Sequence, residues 1–324
     1  MKNKFSAIDA IKAFLIAMFS YLFTTLVILV IQTSIALKNG LEDFTLTKPT
    51  YFISGFFLEA SFLVCLLFVG KKKNIFESLC LNKKINIKTL ALCITISLTT
   101  LLSFISFNNL FLTFLEKLGC DTSSTSYIET VWDLLLAIFV LGIMPAICEE
   151  VLFRGVCTNG LKEKGKWFSI IVSAVMFMII HLGLAQSIYQ LILGIIFAYV
   201  FHITKSLWYS ISMHFFNNAF VLIVSYLTRQ SESITTFVTT WDYILPFVIL
   251  LIGGVAIFFM LKLLTYRVKK ESQNYTQPNQ INQSTTTYDQ NLQKLENIYF
   301  KKLFVLCCII SVTIYLIAVI ASFY

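Results

Sequence analysis

Three stretches of this chain set acids, imidazoles and an amide at four-residue intervals: Glu149, Glu150 and Arg154 in EEVLFR, Phe177 and His181 in FMIIH, and His214 and Asn218 in HFFNN. Residues four apart share a helix face, so Glu150 and Arg154 can form an ion pair. Glu149 is turned by about 100° from its neighbour and is left to face elsewhere. The doublet thus offers one acid for structure and one for chemistry. Pro145, four residues before Glu149, has no N–H and loosens the helix there.

The chemistry these groups suit is hydrolysis. A buried carboxylate takes a proton from water and later passes it on. One imidazole helps to orient that water, while a second imidazole and a carboxamide N–H₂ stabilise the oxyanion of a tetrahedral intermediate. No G-x-S-x-G or H-E-x-x-H pattern offers a competing nucleophile or zinc helix. Glu149, His181 and His214 could also ligate zinc. The same groups can activate water without a metal, and the spacing leaves both routes open.

These residues lie in an apolar setting. The 324 residues are 57% apolar and only 13% charged, with a mean hydropathy of +0.80. Soluble domains carry about 25% charged residues, so this chain needs a solvent other than water, and a secreted or cytosolic protein is excluded. Nine apolar segments approach the ~20 residues of a spanning helix: 11–36, 51–70, 89–115, 133–157, 167–184, 188–204, 207–227, 243–265 and 303–324. The fifth and sixth are short and nearly contiguous, which predicts a tight helical hairpin.

Loop charge supports the count and the orientation. With a cytoplasmic N-terminus, the inner segments collect Lys2, Lys4, Lys12, Lys71–Lys73, Lys83, Lys84, Lys88, Lys162, Lys164, Lys166, Lys205 and the cluster from Lys262 to Lys302. The outer loops hold only Lys38, Lys48, Lys117 and Arg229 among cations, beside Glu42, Asp43, Glu116, Asp121, Glu129, Asp133, Glu232 and Asp242. Every alternate loop obeys the positive-inside rule. The net charge of +8 is therefore a membrane-orientation signal and not a nucleic-acid surface. The eight cysteines lack metal spacing and read as small buried hydrophobes. The composition, rich in Ile, Lys, Asn and Phe, suits an AT-rich bacterial genome.

The chain therefore divides into an eight-span body (1–266, motif region 130–227), a Gln/Asn/Ser/Thr-rich cytoplasmic linker (267–300) and a ninth span (301–324). Ionisable groups inside a bilayer are costly and mark function by default. They are Glu59, Glu149, Glu150, Arg154, His181, His202 and His214. His202 lies beside Lys205 near the interface and reads as structural; Glu59 has no place in the pattern. At 1.5 Å per residue from their cytoplasmic helix ends, Glu149, His214 and Asn218 lie roughly 10–16 Å deep and His181 roughly 21 Å. One shared layer near mid-membrane is thus within reach.

In type, order and spacing these residues resemble the CPBP family, the CAAX-processing and bacteriocin-processing intramembrane endopeptidases also called the Abi family. Its Glu-Glu-x-x-x-Arg, Phe-x-x-x-His and His-x-x-x-Asn motifs fall on successive helices, and all seven positions match here. The resemblance implies an all-α transmembrane bundle with an eight-helix core of the type II CAAX protease kind. It implies that Glu149 is the water-activating base, Glu150 and Arg154 its structural and electrostatic support, His181 a water- or metal-orienting group, and His214 and Asn218 the oxyanion stabilisers. The implied substrate is a membrane-associated peptide or protein. Non-catalytic members that bind a membrane partner in bacteriocin immunity or signalling give the competing function. A transporter is a third reading, but no broken helices occupy corresponding halves of the sequence.

Overall fold

The computed structural model describes residues 4–38, 47–71, 73–122, 127–228, 240–273 and 287–323. Among them there is no strand, and the chain is a bundle of apolar helices. We number these α1 Ala7–Lys38, α2 Lys48–Val69, α3 Ile87–Lys117, α4 Val131–Lys164, α5 Lys166–Ile180, α6 Leu184–Thr204, α7 Leu207–Thr228, α8 Thr240–Gln273 and α9 Thr287–Ala321. All except α5 are long and apolar enough to cross a membrane. Lys2, Glu42, Asp43, Lys72, Arg229 and Glu232, which the loop-charge expectation used, lie outside the described residues.

Local chemistry explains the helix ends. Asn86 caps α3 by accepting from the Lys88 and Thr89 amides. Thr130 and Asp133 form a reciprocal capping box at the start of α4. The expected hairpin is present: Leu182 takes a left-handed φ of 50° between α5 and α6. With 15 residues, α5 rises only about 22 Å, short of the ~30 Å hydrocarbon layer. Its end, where His181 sits, therefore stops at depth instead of emerging on the far side.

The bundle is assembled around α4. Phe14 of α1 packs on Phe153 of α4 at 6.4 Å, and Phe153 meets Phe177 of α5 edge-on at 5.2 Å. Thr158 and Ser173 share a buried hydroxyl bond of 2.7 Å between α4 and α5. At the α5–α6 crossing, Gly194 lets the backbones touch: a Cβ there would lie 3.0 Å from Ala174 Cα.

The C-terminal span packs against the body of the bundle. Residues of the linker are helical through Gln273 and again from Thr287, and 274–286 lie outside the described residues. α9 packs on the body through Phe300 and Phe304, which meet Phe168 of α5 at 6.5 and 5.7 Å. Tyr315 also bonds the hydroxyl of Ser187 in α6. Six of the eight cysteines are buried and all are free thiols, with Cys80 half-buried and Cys308 exposed.

Candidate functional site

α4 is not a regular α-helix. It loosens into π-helical turns at Ile138–Ile143 and Val151–Thr158, on either side of the Met144–Glu150 segment that carries both acids. Such turns concentrate at functional sites because they re-aim side chains. Pro145 has no N–H to give the Leu141 carbonyl, and the Asn218 side chain supplies a donor instead, Nδ2 to O at 3.1 Å.

Glu150 and Arg154 form the expected ion pair, Nη1 to Oε1 at 2.7 Å, and both are buried. A buried guanidinium is costly unless its charge and hydrogens are met. Here the plane lies over the rings of Phe177 (4.5 Å) and Phe197 (5.2 Å), and Nη2 donates to the Gly194 carbonyl at 3.4 Å. The phenylalanine four residues before His181 thus has a physical use: Phe177 carries the arginine over its ring and meets the His181 ring in an edge contact, ring centroids 4.8 Å apart.

The two histidines are oriented by their Nδ1 partners. His181 Nδ1 lies 2.7 Å from the Phe177 carbonyl, which can only accept, so this nitrogen carries the hydrogen. His214 Nδ1 lies 2.9 Å from Glu150 Oε1, and the carboxylate likewise assigns the hydrogen to Nδ1. In both neutral rings Nε2 is then a bare lone pair. Both face Glu149, His181 Nε2 at 4.0 Å from Oε1 and His214 Nε2 at 3.9 Å from Oε2. Glu149 is 4% exposed and its Oε2 has no hydrogen-bond partner. Glu149, Glu150, Arg154, His181 and His214 are therefore one connected cluster drawn from α4, α5 and α7.

Asn218 joins this cluster along the cavity wall. Its Nδ2 holds the Leu141 carbonyl, its Oδ1 accepts from Asn217 at 3.3 Å, and Asn217 accepts from Tyr189 at 2.6 Å. A cavity of about 650 Å³ opens onto Glu149, His181, His214 and Asn218, and also onto Glu59, Tyr21, Gln32, Gln186 and Gln190. Tyr189, Gln186 and Gln190 were not among the residues expected here. The glutamines did leave a signal, an i,i+4 polar pair at the start of an apolar span. His202 lies away from this cavity, half-buried in α6.

The donor set has the chemistry of a metal site: two imidazole lone pairs, each ring steered through its other nitrogen, and a carboxylate. The spacing is wider. Ligands on one tetrahedral zinc stand about 3.4 Å apart, and among the described residues no group of three such side chains is close enough to enclose a metal as it stands. A water molecule donating one hydrogen to the carboxylate and one to an Nε2 is matched by the same acceptors.

Residues 131–220, which include every motif position, match the family model described as type II CAAX prenyl endopeptidase Rce1-like. The chain is also 31% identical over 122 residues to the Bacillus subtilis (strain 168) protein named "Putative membrane peptidase YdiL", covering 35% of this chain and 50% of that one. It thus spans about half the length of that curated relative. No solved structure matches the chain. The segment that holds Glu149, Glu150, Arg154, His181, His214 and Asn218 is thus similar to the Rce1-like type II CAAX prenyl endopeptidases.

Proposed function

We propose that this chain is an intramembrane endopeptidase that hydrolyses a peptide bond in a membrane-associated peptide or protein. One observation carries this reading: a buried Glu149 carboxylate, its Oε2 without a hydrogen-bond partner, faced by two bare imidazole nitrogens within 4.0 Å. A protein that only bound a partner through this fold would have no use for such an arrangement.

Water sits between the carboxylate and the rings, giving one hydrogen to Glu149 and the other to Nε2 of His181 or His214. Its oxygen attacks the substrate carbonyl as Glu149 takes the proton. The oxyanion accepts from the Asn218 carboxamide, whose second amide hydrogen is not needed by Leu141. Glu149 then passes the proton to the leaving amine. His214 works on the water side here, unlike the oxyanion role the resemblance implies, because its one N–H is committed to Glu150 and Nε2 has none to offer. Glu150 and Arg154 fix that ring. Glu149, His181 and His214 would also be the residues to hold a zinc ion, which when bound supplies Lewis-acid polarisation of the same water. Loop charge orients the N-terminus to the cytoplasm in this reading.

The test is to reconstitute the purified chain in lipid vesicles with a library of acyl-anchored peptides and identify new termini by mass spectrometry, with intact-protein spectra after acid quench. New termini without an acyl adduct on the protein support water attack. No new termini, or an adduct on a serine or cysteine, contradicts it.

A further inference from the structure

Glu59 is the acid in this cavity that the hydrolytic cluster does not use. It lies on α2 and lines the same cavity as Glu149 of α4. Its Oε2 is sealed from solvent and has no hydrogen-bond partner. No lysine or arginine among the described residues lines the cavity. The nearest guanidinium, Arg154, is held by Glu150, and both histidines are turned to Glu149.

The backbone at Glu59 is also irregular. The α-helical hydrogen bonding of α2 lapses after Ser61 and resumes at Val64. Across the gap the Phe62 and Leu63 amides donate three residues back, to Glu59 and Ala60 at 3.2 and 3.1 Å. Tightened mid-helix turns of this kind mark functional positions. An unpaired acid beside such a turn, in an apolar bundle, is an expensive arrangement that packing alone does not require. Gln32, Gln186 and Gln190, which line the same cavity, offer amides suited to a peptide backbone.

We infer that Glu59 is the acidic floor of a substrate subsite that takes a cationic side chain, lysine or arginine, near the bond to be cut, the arriving cation holding the acid in its ionised form. This rests on the endopeptidase reading, because the subsite shares its cavity with Glu149. A cation arriving with the substrate neutralises Glu59, and a neutral or acidic side chain leaves it unpaired. Such desolvated charge recognition discriminates strongly between otherwise similar ligands.

Binding tests the subsite without needing turnover. The Glu149→Gln chain in nanodiscs is titrated with fluorescent acyl-anchored alanine-rich peptides that scan one lysine, or one norleucine, through successive positions. The expected result is a lysine preference of about tenfold or more at one or two positions. In Glu59→Gln it should vanish, in Glu59→Asp it should persist, and in Glu59→Lys it should pass to peptides with glutamate at the same positions. Equal retention of the two peptide series at all positions, including no retention of either, overturns the inference, as does a preference that survives Glu59→Gln. Failure of the protease reading would appear separately, as absence of cleavage by the unsubstituted chain.

Discussion

His214 and Arg154 share one oxygen: Glu150 Oε1 takes the histidine Nδ1 at 2.9 Å and the guanidinium Nη1 at 2.7 Å. The ion pair that holds α4 is thereby also the device that sets the tautomer of an α7 imidazole. Removing one partner of a buried pair leaves the other uncompensated and costs about 3–5 kcal/mol. Arg154→Met and Glu150→Met should each lower stability by that amount in thermal or denaturant unfolding. The double variant should regain much of it and still lack hydrolysis, because His214 has lost its Nδ1 partner. Activity in a stable double variant would show that Glu150 serves packing alone.

Phe177 supports Arg154 by its ring face and His181 by its edge. A double-mutant cycle between Phe177→Leu and Arg154→Met should give a coupling of about 1–2 kcal/mol in unfolding. Additive effects would mean that the arginine does not depend on the ring.

Gly194 has no room for a methyl group, with Ala174 Cα and Cβ both 3.0 Å from where it would stand. It also presents its carbonyl to Arg154. Gly194→Ala should cost about 1–3 kcal/mol by forcing α5 and α6 apart. Ala174→Gly in the same chain should restore part of it, and a neutral Gly194→Ala would contradict the close packing.

Asn218 is asked to hold the Leu141 carbonyl and to donate to an oxyanion. Asn218→Asp keeps the shape but removes both donors. The expected loss in kcat is about 10²–10³-fold, the scale of one oxyanion-hole donor, with KM little changed. A rise in KM at constant kcat would assign Asn218 to ground-state binding.

The parts of this site legible in the sequence are those within one helix turn. Glu150 with Arg154, and the opposite facing of Glu149, follow from 3.6 residues per turn. The α5–α6 hairpin and the span order followed from apolar runs and loop charge. The bond from Glu150 to His214 crosses 64 positions, and nothing local announces it. The two Nδ1 bonds that leave Nε2 bare are tertiary facts, and they are the reason the proposed mechanism puts His214 with the water and not the oxyanion. The docking of α9 depends on Phe168 meeting Phe300 and Phe304, aromatic residues among the chain's 31 phenylalanines. Glu59 stood out by its charge, but its setting beside Glu149 became visible only with α2 and α4 in place.

Glu149→Gln is the most direct single measurement. It keeps the side chain's size and removes the group that accepts the water's proton. With cleavage followed in vesicles beside the unsubstituted chain, the expected outcome is a fall in rate of at least about 10²-fold, with thermal stability retained. Cleavage at an undiminished rate would contradict water activation by Glu149 and leave the cluster as a structural device alone.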